Sequence, residues 1–111
     1  MQSDEPLPPP ARATLEALLA GADPALRAQV PYARVAGRCG CGCVTVDLAV
    51  DRTAVAPAPA AGNPVADGWY AAPEGTGVMV FARDGYLSLL EAYGIDGPVT
   101  AWPEPRFLER G

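Results

Sequence analysis

Three cysteines alternate with two glycines at residues 39–43, and this CGCGC segment is the most unusual stretch of the chain. On a straight strand, alternate side chains point to the same face, so the sulfurs of Cys39, Cys41 and Cys43 would lie together. Grouped thiolates bind soft metal ions such as Cu(I) or take part in redox exchange. If the chain binds a metal ion, we expect these three residues to be its ligands.

A structural role for the same cysteines is the competing interpretation. A tetrahedral structural zinc site needs four Cys or His ligands, and the chain has three Cys and no His. A carboxylate such as Asp47, or a second chain, could complete the set. Glycines also permit a bend on a strand, and small thiols pack there as hydrophobic groups. We therefore expect structural cysteines, with no metal ion and no other cofactor.

Glu91 is the candidate for acid–base chemistry, because a carboxylate at the edge of an apolar face can have a raised pKa. A charged residue that points inward on an edge strand also prevents edge-to-edge association. The chain has no His for a Ser–His or Cys–His pair, and no second carboxylate adjoins Glu91 in the sequence. We therefore interpret Glu91 as an edge-strand charge and expect no catalytic residue.

Aromatic residues beside Pro and Gly form the third candidate group. Such residues often contribute to surfaces that bind proteins or peptides. In a chain with few large aromatic side chains, the burial tendency of these residues favours packing in the core. The candidate partner-binding residues are Trp69, Tyr70, Glu91 and Trp102.

Two short helices near the N-terminus are predicted to position these residues. Leu15, Leu18 and Leu19 have the spacing of one helical stripe, which predicts a helix over residues 11–20. Asp23 before Pro24 is typical of an N-cap followed by the first helical residue, so a second helix starts there. It must end before the proline at position 31.

Strands and turns are predicted for the rest of the chain. Residues 44–50 alternate apolar and other side chains, which indicates a half-buried strand. Residues 32–38 and 64–72 indicate weaker strands. With the hairpin described next, we expect an α+β fold in which the two helices pack on an antiparallel sheet of four to five strands.

A β-hairpin is predicted at residues 78–91, because Asp84-Gly85 supplies the two positive-φ residues of a type I′ turn. In a regular ladder, one face carries Val80, Leu87 and Leu89, and this face is apolar enough to be buried. The expected pairs are Arg83–Tyr86, Ala82–Leu87, Phe81–Ser88, Val80–Leu89, Met79–Leu90 and Val78–Glu91.

Two stretches of the chain resemble small uncharacterised proteins of high-GC actinobacteria. The first runs from Arg34 to Asp47 and includes the CGCGC segment, and the second runs from Asp84 to Tyr93. The group has no established function, so the resemblance implies a source and no catalytic residue.

Length, charge and composition limit the remaining possibilities. The chain has 111 residues and a net charge of −5, which suits one small domain and argues against nucleic-acid binding. Residues 1–10 are acidic and proline-rich, so we expect a disordered tail, followed by a single α+β domain over residues 11–111. We find neither a signal peptide nor a stretch apolar enough to enter a membrane, and three cysteines cannot all pair within one chain, so we expect a cytoplasmic protein.

A protein-binding module is the functional hypothesis that these observations favour. It is non-catalytic, acts as a monomer or homodimer, and is of the kind that neutralises another protein, as immunity proteins do. The alternative is a thiol-based metal-binding or redox protein that uses the CGCGC segment.

Overall fold

Two helices pack on one face of a seven-stranded antiparallel sheet in the computed structural model, which describes residues 5–38, 40, 42–59 and 62–111. The predicted α+β class is confirmed, whereas the predicted four to five strands are too few. Two short strands at the sheet edges, of two and three residues, account for the difference, because they are too short to show any alternation. In chain order the strands are β1 (Glu5–Pro6), β2 (Ala33–Arg38), β3 (Val46–Val50), β4 (Ala66–Tyr70), β5 (Thr76–Arg83), β6 (Tyr86–Gly94) and β7 (Leu108–Arg110).

The spatial order of the strands is β1-β2-β3-β6-β5-β4-β7. The β5–β6 hairpin therefore lies in the middle of the sheet. β3 borders it on one side and β4 on the other. Strand β6 is an internal strand, so Glu91 does not protect a sheet edge, and our edge-strand interpretation of this residue is wrong.

The helices are α1 (Pro9–Leu19) and α2 (Pro24–Gln29), and a two-residue strand precedes both of them. Helix α1 starts earlier than expected because proline in the first turn has no N–H that would need a partner. The side chain of Asp23 caps α2 by accepting a 2.8 Å hydrogen bond from the N–H of Ala25. Short 3₁₀ turns follow at Val30–Tyr32 and Pro105–Phe107.

Residues 5–10 depart from the predicted disordered tail. Glu5 and Pro6 pair with β2, and the carboxylate of Glu5 lies 3.1 Å from the guanidinium of Arg38. The first four residues lie outside the described part of the chain.

The hydrophobic core lies between the helices and the sheet. Leu15, Leu18 and Leu19 of α1 are buried there, as their helical spacing predicts. Gly68 on β4 is buried beneath α1, and a β-carbon at this position would lie 3.1 Å from Cδ2 of Leu18. The strands contribute Val35, Val46, Leu48, Tyr70, Val78, Val80, Leu87 and Leu90 to the same core.

The turn of the β5–β6 hairpin has the predicted type I′ conformation, with φ of 56° at Asp84 and 83° at Gly85. The predicted pairs Arg83–Tyr86 and Ala82–Leu87 are confirmed. Beyond them, β6 contains one extra residue, Ser88. The observed pairs are then Phe81–Leu89, Val80–Leu90, Met79–Glu91 and Val78–Ala92, so the four other predicted pairs are wrong.

This bulge at Ser88 changes which side chains of β6 are buried. One extra residue moves all later side chains to the opposite face of the sheet. Leu90, which is 0% exposed, therefore joins Leu87 in the core. Leu89 and Glu91, which we expected on the face of Leu87, lie half-buried on the other face instead.

A buried amide side chain completes the hydrogen bonding of β6. β3 and β6 pair only at Val46–Leu90 and Asp47–Leu89, so β3 provides no partner near the hairpin turn. The side chain of Gln29, which is 0% exposed, takes that place. Its Oε1 accepts from the N–H of Leu87 at 2.9 Å, and its Nε2 donates to the carbonyl of Gly85 at 2.8 Å.

Tyr70 anchors α1 to the sheet from the core. Its hydroxyl lies 2.8 Å from Oγ1 of Thr14, and both side chains are buried. Burial raises the pKa of Tyr70 above its ordinary value of 10.0, and the Thr14 hydrogen bond partly opposes that rise.

The bulge predicts unequal effects of truncating two adjacent leucines. Leu90→Ala should lower the free energy of unfolding by about 2–5 kcal/mol, because it leaves a cavity in the core. Leu89→Ala, the matched control on the half-buried face, should cost about 1 kcal/mol. Urea unfolding measures both, and a larger loss for Leu89→Ala would mean that the bulge is absent.

The raised pKa of buried Tyr70 predicts that the protein loses stability at alkaline pH. Because the folded pKa is raised, the contribution of neutral Tyr70 is fully present below about pH 10 and is lost as pH rises from there through the folded pKa. Between about pH 10 and about pH 11, the wild-type free energy of unfolding should therefore fall more steeply than that of Tyr70→Phe. Equal slopes for the two proteins in urea unfolding would contradict the burial of this hydroxyl.

Candidate functional site

The face of the sheet opposite α1 and α2 is the candidate site. The helices cover the face that carries the core, and the other side chains of β3, β6, β5 and β4 point away from them. We call this surface the open face. Its central residues are Asp47, Asp67, Trp69, Gly77, Met79, Phe81, Leu89, Glu91, Tyr93 and Glu109.

Cross-strand pairing arranges the open face in three successive rungs. Residues that are directly opposite on neighbouring strands lie on the same face, with their β-carbons about 5 Å apart. Each rung therefore places apolar side chains next to a carboxylate. The rungs are Asp47–Leu89–Phe81, Glu91–Met79–Asp67 and Tyr93–Gly77–Trp69–Glu109.

Exposed apolar side chains concentrate at one end of this face. Trp69 is 49% exposed and Tyr93 is 45% exposed, both in the third rung. Ile95, at 82%, extends the ladder by one pair, because its N–H donates to the carbonyl of Gly75 at 2.9 Å. The other described large apolar side chain with comparable exposure is Tyr32, which lies outside the rungs.

Gly77 leaves the space on the sheet that the ring of Tyr93 occupies. The two residues are paired across β5 and β6. A β-carbon at Gly77 would collide with the Tyr93 ring, whose Cε2 would be only 2.7 Å away. On the other side of Gly77, Trp69 is its partner on β4. The two exposed aromatic side chains therefore flank a position that has no side chain.

The electrostatic character of the open face is acidic. Its four carboxylates belong to Asp47, Asp67, Glu91 and Glu109. The ion pairs among the described residues involve other carboxylates, so these four have no cationic partner there. The register places arginines on this face only outside the rungs, at Arg34 opposite Ala49 and at Arg83 beside the turn.

The structure separates the four predicted partner-binding candidates. It brings Trp69 and Glu91 together on the open face. Tyr70 is 2% exposed and bonded to Thr14, so it is a core residue rather than a contact residue. Trp102 is half-buried and packs against the core.

Tyr93, Asp67 and Glu109 are among the residues of this face that the sequence analysis did not identify as contact residues. Glu91 and Tyr93 are two residues apart on one strand, and so are Asp67 and Trp69. This spacing is a signal that could have linked each pair. The signal was not sufficient, because the bulge at Ser88 decides which face Glu91 and Tyr93 occupy.

Two of the three residues in the proposed thiol site lie outside the described part of the chain, namely Cys39 and Cys41. Cys43 is half-buried in the connection between β2 and β3. The described residues contain no cluster of three or more metal-ligating side chains. The thiol hypothesis remains a prediction.

We also searched for membrane-spanning helices and for similar proteins. Among the described residues, no helix is long and apolar enough to cross a bilayer. The chain matches no protein-family model, and neither a curated protein nor a solved structure is significantly similar to it.

Proposed function

We propose that the chain is a non-catalytic protein-binding module whose open face contacts a basic protein surface. One observation carries the proposal. The sheet face that the helices leave uncovered combines exposed apolar side chains with four carboxylates that have no described cationic partner.

The side-chain types of the open face support a protein partner. Aromatic residues and Met are enriched at protein interfaces, and Trp and Tyr supply much of the binding energy there. Trp69 and Tyr93 are accessible for such contacts, and Met79, Phe81 and Leu89 are half-buried in the other two rungs. The exposed side chains of the third rung are typical of a surface that contacts another protein rather than of an enclosed small-molecule site.

The charge of the open face supports a basic partner. Complementary charge increases the association rate and excludes acidic surfaces. The net charge of −5 has the same sign as the rungs, so the whole chain attracts such a partner. Neutralising a basic functional surface of another protein, as immunity proteins do, is one form of this function.

A peptide library provides a direct test. Wild-type chain, immobilised, is used to select binders from a random twelve-residue phage library, and dissociation constants of the selected peptides are measured by biolayer interferometry. We expect peptides that contain basic and apolar residues. Trp69→Ala should weaken their binding at least tenfold, because a buried interface aromatic contributes about 2 kcal/mol or more.

Tyr32→Ala is the matched control, since Tyr32 is similarly exposed but lies outside the rungs. It should leave the same affinities unchanged. The proposal fails if the library yields no specific binder, or if the selected peptides bind Trp69→Ala as tightly as wild type.

A further inference from the structure

We infer that Tyr93 and Trp69 form a subsite for an arginine side chain of the partner, with the guanidinium stacked on an aromatic ring and bonded to a neighbouring carboxylate. This inference rests on the proposed function and specifies the chemistry that the open face recognises. It concerns the third rung, where the two exposed aromatic residues flank Gly77.

The chain itself contains this arrangement twice with the arginine in place. The guanidinium of Arg52 lies 4.6 Å from the ring centre of Tyr86 and 3.9 Å from a carboxylate oxygen of Asp84. Asp84 is two residues before Tyr86, so one short segment supplies both the carboxylate and the ring.

The second example lies in the connection to β7. The guanidinium of Arg106 is 4.5 Å from the ring centre of Phe107 and 2.6 Å from a carboxylate oxygen of Glu104. Both examples combine a cation–π contact with an ion pair, and in the second the guanidinium also donates a hydrogen bond to the carboxylate. Arginine suits this combination because its planar group can stack and donate at once.

The second and third rungs together present the same acceptor groups without an arginine. Glu91 precedes Tyr93 by two residues on one strand, and Asp67 precedes Trp69 by two residues on another. Residues at this spacing share a face and lie about 7 Å apart, so each ring has a carboxylate within reach of a stacked guanidinium. No described arginine lies over either ring.

Gly77 makes one of these rings available as a platform. The Tyr93 ring occupies the space above Gly77 that a side chain would otherwise fill, and Tyr93 is still 45% exposed. Glu109, directly opposite Trp69 in the third rung, adds a third carboxylate near the two rings. The subsite therefore favours a planar cation over a neutral group of the same shape.

Short peptides test this subsite directly. Uniformly ¹⁵N-labelled chain is titrated with Ac-Gly-Arg-Gly-NH₂, with the citrulline peptide as a neutral isostere and the lysine peptide as a point charge. The Trp69 indole N–H and the Gly77 amide report binding, and Trp102→Phe assigns the indole signal. We expect the arginine peptide to shift both signals, and the citrulline peptide to bind at least about fivefold more weakly.

Variants of Tyr93 separate stacking from charge. Tyr93→Leu should weaken binding of the arginine peptide about two- to fivefold, whereas Tyr93→Phe should retain it. Tyr32→Leu is the exposed control and should have no effect. Urea unfolding of each variant verifies that it is folded. Equal affinity of the arginine and citrulline peptides, or full binding by Tyr93→Leu, would overturn the inference.

The peptides selected from the library distinguish this failure from failure of the proposed function. If replacing their arginines by citrulline leaves the affinity unchanged while Trp69→Ala still weakens it, the open face binds proteins without an arginine subsite. If no selected peptide depends on Trp69, the open face is not the binding surface.

Discussion

One extra residue in β6 determines the character of the whole sheet. Side chains on a strand alternate strictly between two faces, so the bulge at Ser88 exchanges the faces of all later residues. With it, Leu90 enters the core and Glu91 faces away from the helices. In a regular ladder Glu91 would instead be directed at the core, where an unpaired carboxylate is costly. The bulge thereby produces both a consistent core and an acidic open face.

Polar side chains support this arrangement where neighbouring strands are missing. Near the turn, β3 does not pair with β6, and the side chain of Gln29 forms hydrogen bonds with the backbone there instead. On the opposite side of the hairpin, the amide of Asn63 bonds both the N–H and the carbonyl of Ala82 on β5. At the other end of β6, Oγ1 of Thr45 accepts from the N–H of Ala92 at 3.0 Å. These side chains provide hydrogen-bond partners where β3 or β4 does not. The backbone N–H and C=O groups of the hairpin are therefore bonded there although the neighbouring strands pair with only part of its length.

Local signals in the sequence predicted the parts of the fold that depend on local chemistry. The leucine spacing of α1, the Asp23 cap and the Asp84-Gly85 turn were all identified in this way. The bulge was not, because Ser88 carries no glycine or proline signal and its conformation depends on packing around it. The edge strands β1 and β7 were missed because backbone pairing alone defines them. For the same reason only Trp69 and Glu91 of the open face were among the predicted contact residues.

Proton–proton contacts in solution test the central claim, which is that the bulge places Tyr93 on the open face. In a NOESY spectrum, the Tyr93 ring protons should show strong cross-peaks to the α-protons of Gly77, which should also be shifted upfield by the ring lying over them. Cross-peaks from Tyr93 to the methyl groups of Leu15 or Leu18 in α1 should not occur. If the Tyr93 ring instead contacts these α1 leucines and leaves Gly77 unshifted, β6 has no bulge at Ser88 and the account is wrong.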